Sequence, residues 1–135
     1  MELGKSNGTI LVVDDDCGVR TLVKDLLEFE GYTVLMAADA ATAMRVHEEY
    51  QSGVALLLTD VIMPHMNGLE LADRLLQREP RLRVLFMSGS EDASRGFGCV
   101  AKPFTGAELI GRVGEVLESS PPTQVVRNFH FSEAV

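Results

Sequence analysis

The stretch Ile10-Leu11-Val12-Val13-Asp14-Asp15-Asp16 decides the fold. Four apolar residues in a row, three of them β-branched, offer no polar face, so the segment reads as a strand buried on both sides. It stops abruptly in three carboxylates. The same construction returns three times. Ala55–Leu58 runs into Thr59-Asp60, Val84–Met87 into Ser88-Gly89, and Cys99–Ala101 into Lys102-Pro103. Val34–Ala37 is a fifth short apolar run.

Helical patterns fill the gaps. Val19, Leu22, Val23, Leu26 and Leu27 follow a helical stripe, with Asp16 as N-cap and Gly31 as stop. Ala40, Ala43, Met44, His47 and Tyr50 form a weaker one. After a turn with Pro64, Asn67 and Gly68, the residues Leu69, Ala72, Leu75 and Leu76 mark a third helix, capped by Asn67 with Glu70 three residues on. Thr105-Gly106-Ala107-Glu108 is a capping-box opening for a last helix, whose face is Leu109, Ile110, Val113, Val116 and Leu117. Apolar strands alternating with helices predict an α/β fold: a flavodoxin-like, doubly wound, five-stranded parallel sheet with helices on both faces. One helix is missing from the pattern. Only ten residues, Gly89 to Gly98, separate Ser88 from Cys99; three are glycine and none forms a stripe. A parallel crossover needs a dozen or more, so the fourth helix is expected to be shortened or absent.

The 135 residues suit one domain with a proper core: a flexible leader over 1–8, the folded unit over 9–118 and a tail over 119–135. The net charge is −8 with no basic run, which speaks against direct nucleic-acid binding. No apolar stretch nears the ~20 residues of a membrane span, and the leader has no signal-peptide core. Cys17 and Cys99 make no disulfide framework; both read as small buried side chains in a chain expected to be cytoplasmic. His47, His65 and His130 are too widely spaced for a zinc site.

In an open parallel sheet, ligands bind at the carboxyl ends of the strands, so residues from 14 to 102 can meet in one crevice. Clustered Asp14, Asp15 and Asp60 would repel one another. A divalent cation removes that conflict, and Mg²⁺ (or Mn²⁺) prefers oxygen ligands and phosphate. A carboxylate can attack phosphorus to give an aspartyl phosphate. Lys102 and the metal would stabilise the transferring charge, Ser88 can donate to a phosphate oxygen, and Gly89 leaves room for it. Asp60, alone at the end of the expected central strand, is the nucleophile candidate.

This constellation resembles the receiver domain of two-component response regulators. The residues that carry it are Ile10–Asp16, Thr59-Asp60-Val61-Ile62-Met63-Pro64, Met66-Asn67-Gly68-Leu69-Glu70-Leu71, Met87-Ser88-Gly89 and Ala101-Lys102-Pro103-Phe104. The resemblance implies Asp60 as phosphoacceptor, Asp14 and Asp15 as the acidic pair holding Mg²⁺, and the Ile62 backbone carbonyl as a third protein ligand. It implies Ser88 and Lys102 as the residues that read the phosphate, with a cis peptide before Pro103. The phosphoryl donor would be a histidine kinase or a histidine phosphotransfer protein. The chain would be no enzyme beyond catalysing its own phosphorylation and dephosphorylation.

Two departures fall on signal output. The position three residues before the lysine, normally an aromatic switch, is Cys99. The fourth helix, part of the usual output face, lacks a full segment. The expectation is a domain that accepts phosphate and signals atypically. Phe86-Met87-Ser88-Gly89-Ser90 is similar to receivers attached to hybrid kinases. The apolar tail segment Val125–Phe131 makes a second copy of the chain a further candidate partner. Two other functions remain open. Asp14-Asp15-Asp16 contains the Asp-x-Asp pattern of haloacid-dehalogenase-like phosphatases, with Asp14 as nucleophile and Asp16 as acid/base. A pseudo-receiver that binds without being phosphorylated is the other.

Overall fold

The computed structural model describes residues 8–50, 53–88 and 98–118. The elements run β1 (Thr9–Val13), α1 (Cys17–Phe29), β2 (Thr33–Ala37), α2 (Ala40–Glu49), β3 (Leu56–Asp60), α3 (Gly68–Arg78), β4 (Arg83–Ser88), β5 (Gly98–Ala101) and α4 (Gly106–Glu118). All strand pairs are parallel, in the order β2-β1-β3-β4-β5. The leader, the tail and the segment where the fourth helix is expected to be shortened or absent lie outside the described residues, apart from Gly8 and Gly98.

Strand alternation sorts the core into two layers. Leu11, Val13, Leu57, Val84 and Phe86 face α2 and α3, meeting Ala40, Ala43, Leu71, Ala72, Leu75 and Leu76. Ile10, Val12, Leu56, Leu58, Leu85 and Met87 face the other way, onto Val23 and Leu27 of α1 and Leu109 and Val113 of α4. This is the expected doubly wound sheet, and it explains why the strands are apolar on both sides.

The helix starts follow the sequence. Asp16 accepts from the backbone of Gly18 and Val19, and Asn67 from Glu70. Thr105 and Glu108 bond each other reciprocally, backbone N–H to side-chain oxygen, at 2.8 and 3.0 Å. Gly31 ends α1 with φ 99°, a conformation that favours glycine.

Three expectations about packing change. Cys17 is exposed, not buried: as the first residue of α1 it lies off the stripe that buries Val23 and Leu27. Leu22, at the stripe's edge, stays 52% exposed. On α3 it is Leu71, not Leu69, that is wholly buried.

The chain passes from β1 outward to β2, then returns across β1 to lay β3 on its other side. The carboxyl ends of β1 and β3 therefore flank the point where strand order reverses, the crevice where ligands bind in such sheets. Register sets the depth: Val13 pairs with Thr59, Asp60 with Met87, and Ser88 with Ala101. Asp14, Asp60, Ser88 and Lys102 thus end adjacent strands along one rim.

Candidate phosphoryl-transfer site

Asp14 is the first residue past β1 and is fully buried. A buried carboxylate needs partners, and it has them. Its Oδ1 accepts the Asp16 backbone N–H at 2.9 Å, and its Oδ2 accepts from Lys102 Nζ at 2.9 Å. Lys102 also donates to Asp60 Oδ2 at 3.2 Å. One ammonium from beyond β5 therefore bridges the acids that end β1 and β3.

Burial pushes the Asp60 carboxyl above the ordinary aspartate value; Lys102 opposes the rise, Asp14 adds to it, and the Ile62 backbone N–H opposes it by donating to the carboxylate. Burial alone would lower Lys102, but its bonds and ion pairs with Asp14 and Asp60 outweigh that and hold it above the ordinary lysine value. Asp15 is exposed at the crevice mouth. One carboxylate oxygen from each of Asp14, Asp15 and Asp60 lies within 4.8 Å of the others. Three hard oxygen donors converging this closely fit a small divalent cation bound by carboxylates.

The loop after β3 is held tightly. Thr59 is fully buried and its hydroxyl donates to the Asp60 carbonyl at 2.9 Å. Val61 N–H bonds Met87 O, and Gly68 N–H bonds Val61 O at 2.7 Å. A Cβ on Gly68 would run into the Asp60 carbonyl oxygen, so only glycine allows this approach. Ile62 projects into solvent, 73% exposed. His65 takes φ 72° in the same loop.

Ser88 is 2% exposed, and its carbonyl accepts the Lys102 backbone N–H at 2.9 Å. The Lys102–Pro103 peptide is cis. Cys99 is half-buried against the α2/α3 core layer, and its carbonyl accepts from Arg112 at 3.3 Å. Gly89 lies outside the described residues. The structure thus brings together Asp14, Asp15, Asp60 and Lys102. Thr59, as a brace for the Asp60 carbonyl, and Arg20, which donates to the Asp14 carbonyl at 2.7 Å, did not emerge from the sequence. A cation at the end of the first turn of the helix that follows an acidic cluster was the available signal for Arg20.

The family model for the response regulator receiver domain matches residues 10–114. The chain belongs to this receiver family. Among its relatives are the DNA-binding transcriptional regulator NtrC of Azospirillum brasilense, 37% identical over 87% of this chain and 26% of that protein. Another is the sensor kinase CckA of Brucella abortus, 35% identical over 83% of this chain and 13% of that protein. The receiver therefore spans only a fraction of these relatives' lengths. The solved receiver domain from the hybrid histidine kinase CckA is 36% identical, with a TM-score of 0.74, over 82% of this chain and all of that one. A CheY-like receiver protein from Methanospirillum hungatei is 30% identical with a TM-score of 0.76, over 84% and 95%. Among the described residues, no helix is long and apolar enough to cross a membrane.

The phosphatase alternative loses its machinery in this receiver. Asp16, its would-be acid/base, is spent on capping α1 at 2.8 and 3.2 Å. Asp14, its would-be nucleophile, is fully buried and tied on both oxygens.

Proposed function

We propose that this receiver is the phosphoacceptor of a two-component system, taking a phosphoryl group onto Asp60 from a histidine kinase or a histidine phosphotransfer protein. The observation that carries the reading is Lys102 bridging Asp14 and Asp60 beside the exposed Asp15. An Asp60 oxygen attacks phosphorus, the bond from phosphorus to the donor's imidazole nitrogen breaks, and that nitrogen leaves with the bond's electron pair. Partial burial leaves the Asp60 carboxylate poorly hydrated and more basic than a free aspartate, which favours attack. Asp14, Asp15, Asp60 and the Ile62 carbonyl would hold Mg²⁺ or Mn²⁺, which would supply charge neutralisation for the phosphoryl oxygens. Lys102 already touches Asp60 and needs only a small shift to meet a phosphate oxygen. Ser88 follows from the end of β4, tied to Lys102 through the backbone.

The chain acts as a signalling domain, not a turnover enzyme. Its output is atypical, because Cys99 cannot serve as an aromatic switch and the β4–β5 crossover is short. Incubation with acetyl phosphate and Mg²⁺, followed by intact mass and peptide mapping, tests the reading. One phosphoryl group on Asp60 is expected. Label on Asp14 would restore the phosphatase. No label, together with no spectral response to beryllofluoride and Mg²⁺, would make the chain a pseudo-receiver binding module.

A further inference from the structure

We propose that Arg20 is a positioning residue for Asp15, acting through the Asp14 carbonyl. The inference rests on the reading of Asp14, Asp15 and Asp60 as a metal-holding set. Asp14 is pinned at every polar group it owns. Its N–H donates to Ala37 O at 3.2 Å, and its two carboxylate oxygens take the Asp16 N–H and Lys102. Its carbonyl lies past the end of β1, and Arg20 Nη1 reaches back from α1 to donate to it at 2.7 Å. That is short for an N–H···O bond, as expected for a charged donor.

Asp15 is the opposite case. Its side chain is exposed, and among the described residues its carboxylate has no hydrogen-bond or ion-pair partner. Nothing at the side chain aims it. Its direction is inherited from the backbone. The Asp14 carbonyl and the Asp15 N–H share one rigid peptide plane, so holding that carbonyl fixes the plane from which Asp15 departs. Arg20 thereby sets where the third carboxylate stands, within 4.8 Å of the other two.

The charge on Arg20 makes the inference testable by sign. A cation beside three carboxylates repels a second cation, so loss of its charge alone would tighten Mg²⁺ binding. Loss of positioning weakens it. The measurement is Mg²⁺ titration of the full chain, followed by amide chemical shifts in NMR with no phosphoryl donor present. Amides of Thr33 and Val34, at the end of β2 away from the site, report that the fold is kept. Arg20→Ala is expected to weaken Mg²⁺ about tenfold or more, the usual loss when a group orienting a ligand is removed. Arg20→Lys keeps the charge but offers a shorter, freely rotating donor, and is expected to fall between wild type and Arg20→Ala. Should Arg20→Ala not fold, Arg20→Lys decides alone, since charge alone predicts no change there. Unchanged or tighter binding in these variants, while the wild type binds, overturns the role of Arg20. A wild type that shows no response to Mg²⁺ overturns the metal reading and, with it, this inference.

Discussion

Replacing Lys102 by Met removes a charge while nearly conserving volume, and it isolates what the bridge does for the fold. The structure sets the magnitude. The Asp14 side chain is wholly buried, and the Lys102 side chain is 26% exposed. Without the ammonium, Asp14 keeps only the Asp16 N–H among its described side-chain partners. Breaking a buried ion pair by deleting one partner costs about 3–5 kcal/mol, because the survivor stays buried and uncompensated. Water reaches Lys102, so the lower end applies, about 3 kcal/mol. For a domain near 100 residues this is a fall in Tm of roughly 12 °C or more.

Adding Asp14→Asn removes the charge that needed compensation. The cost of Lys102→Met should then drop to about 1 kcal/mol, reflecting the remaining contact to Asp60. The expected coupling is about 2 kcal/mol. Urea unfolding followed by circular dichroism, in chelator-treated buffer, measures all four corners of the cycle. The pH dependence adds a second check. In the folded state the Asp60 carboxyl is raised, so the fold gains stability as pH falls through that value, and loss of Lys102 steepens the gain. Additive single changes, with coupling under about 0.5 kcal/mol, would refute the claim that Lys102 is the counter-ion of buried Asp14.

Asp60→Asn is expected to abolish phosphorylation by acetyl phosphate, read by intact mass, and to stabilise the metal-free fold near neutral pH by removing a carboxylate whose ionisation burial penalises. Gly68→Ala should cost about 2–3 kcal/mol in urea unfolding, because the new methyl meets the Asp60 backbone, which cannot yield as a side chain would. Asp39→Ala should cost about 1 kcal/mol through loss of the α2 N-cap, whose carboxylate accepts the Thr42 N–H at 2.7 Å. That bond depresses the Asp39 pKa, so its contribution is present above the ordinary aspartate range, near pH 4, and disappears as pH falls through the lowered value. The gap between wild type and Asp39→Ala in Tm scans should close below that range.

Fold and site were legible to different depths. Five strands, and the two-faced burial of β1, β3 and β4, followed from runs such as Ile10–Val13, since a strand covered on both sides is apolar throughout. The helix starts followed from Asp16, Asn67 and Thr105, because each cap is a local bond between residues two or three apart. Strand ends were less legible. Asp60 and Ser88 belong to β3 and β4, because ladder pairing with Met87 and Ala101 carries polar residues into the sheet. Cys17 was misplaced, and Leu71 left out of the α3 stripe, because burial depends on which side of a helix the sheet lies, a fact of assembly. Arg20 and Thr59 act on backbone carbonyls, and residue type alone does not reveal which carbonyl a side chain will reach.

The charge balance of the crevice links stability to signalling. Two of the three carboxylates meet one ammonium directly, while the Arg20 guanidinium is engaged with the Asp14 carbonyl, so the site keeps an excess of negative charge that a divalent cation would offset. Until it arrives, Lys102 serves both Asp14 and Asp60 and is held by its hydrogen bonds and ion pairs with them. A phosphoryl group on Asp60 would offer Lys102 stronger acceptors than the carboxylate oxygen it touches now. Asp14 could give up Lys102 only if another cation covered its buried charge. The acidic pair would then do more than assist the chemistry: with metal bound, it would free Lys102 to follow the phosphate, and with it the backbone bond from Lys102 to Ser88 that ties β5 to β4. On the proposed reading, signal would leave the site along that strand end, past the half-buried Cys99 and the Arg112 that holds its carbonyl.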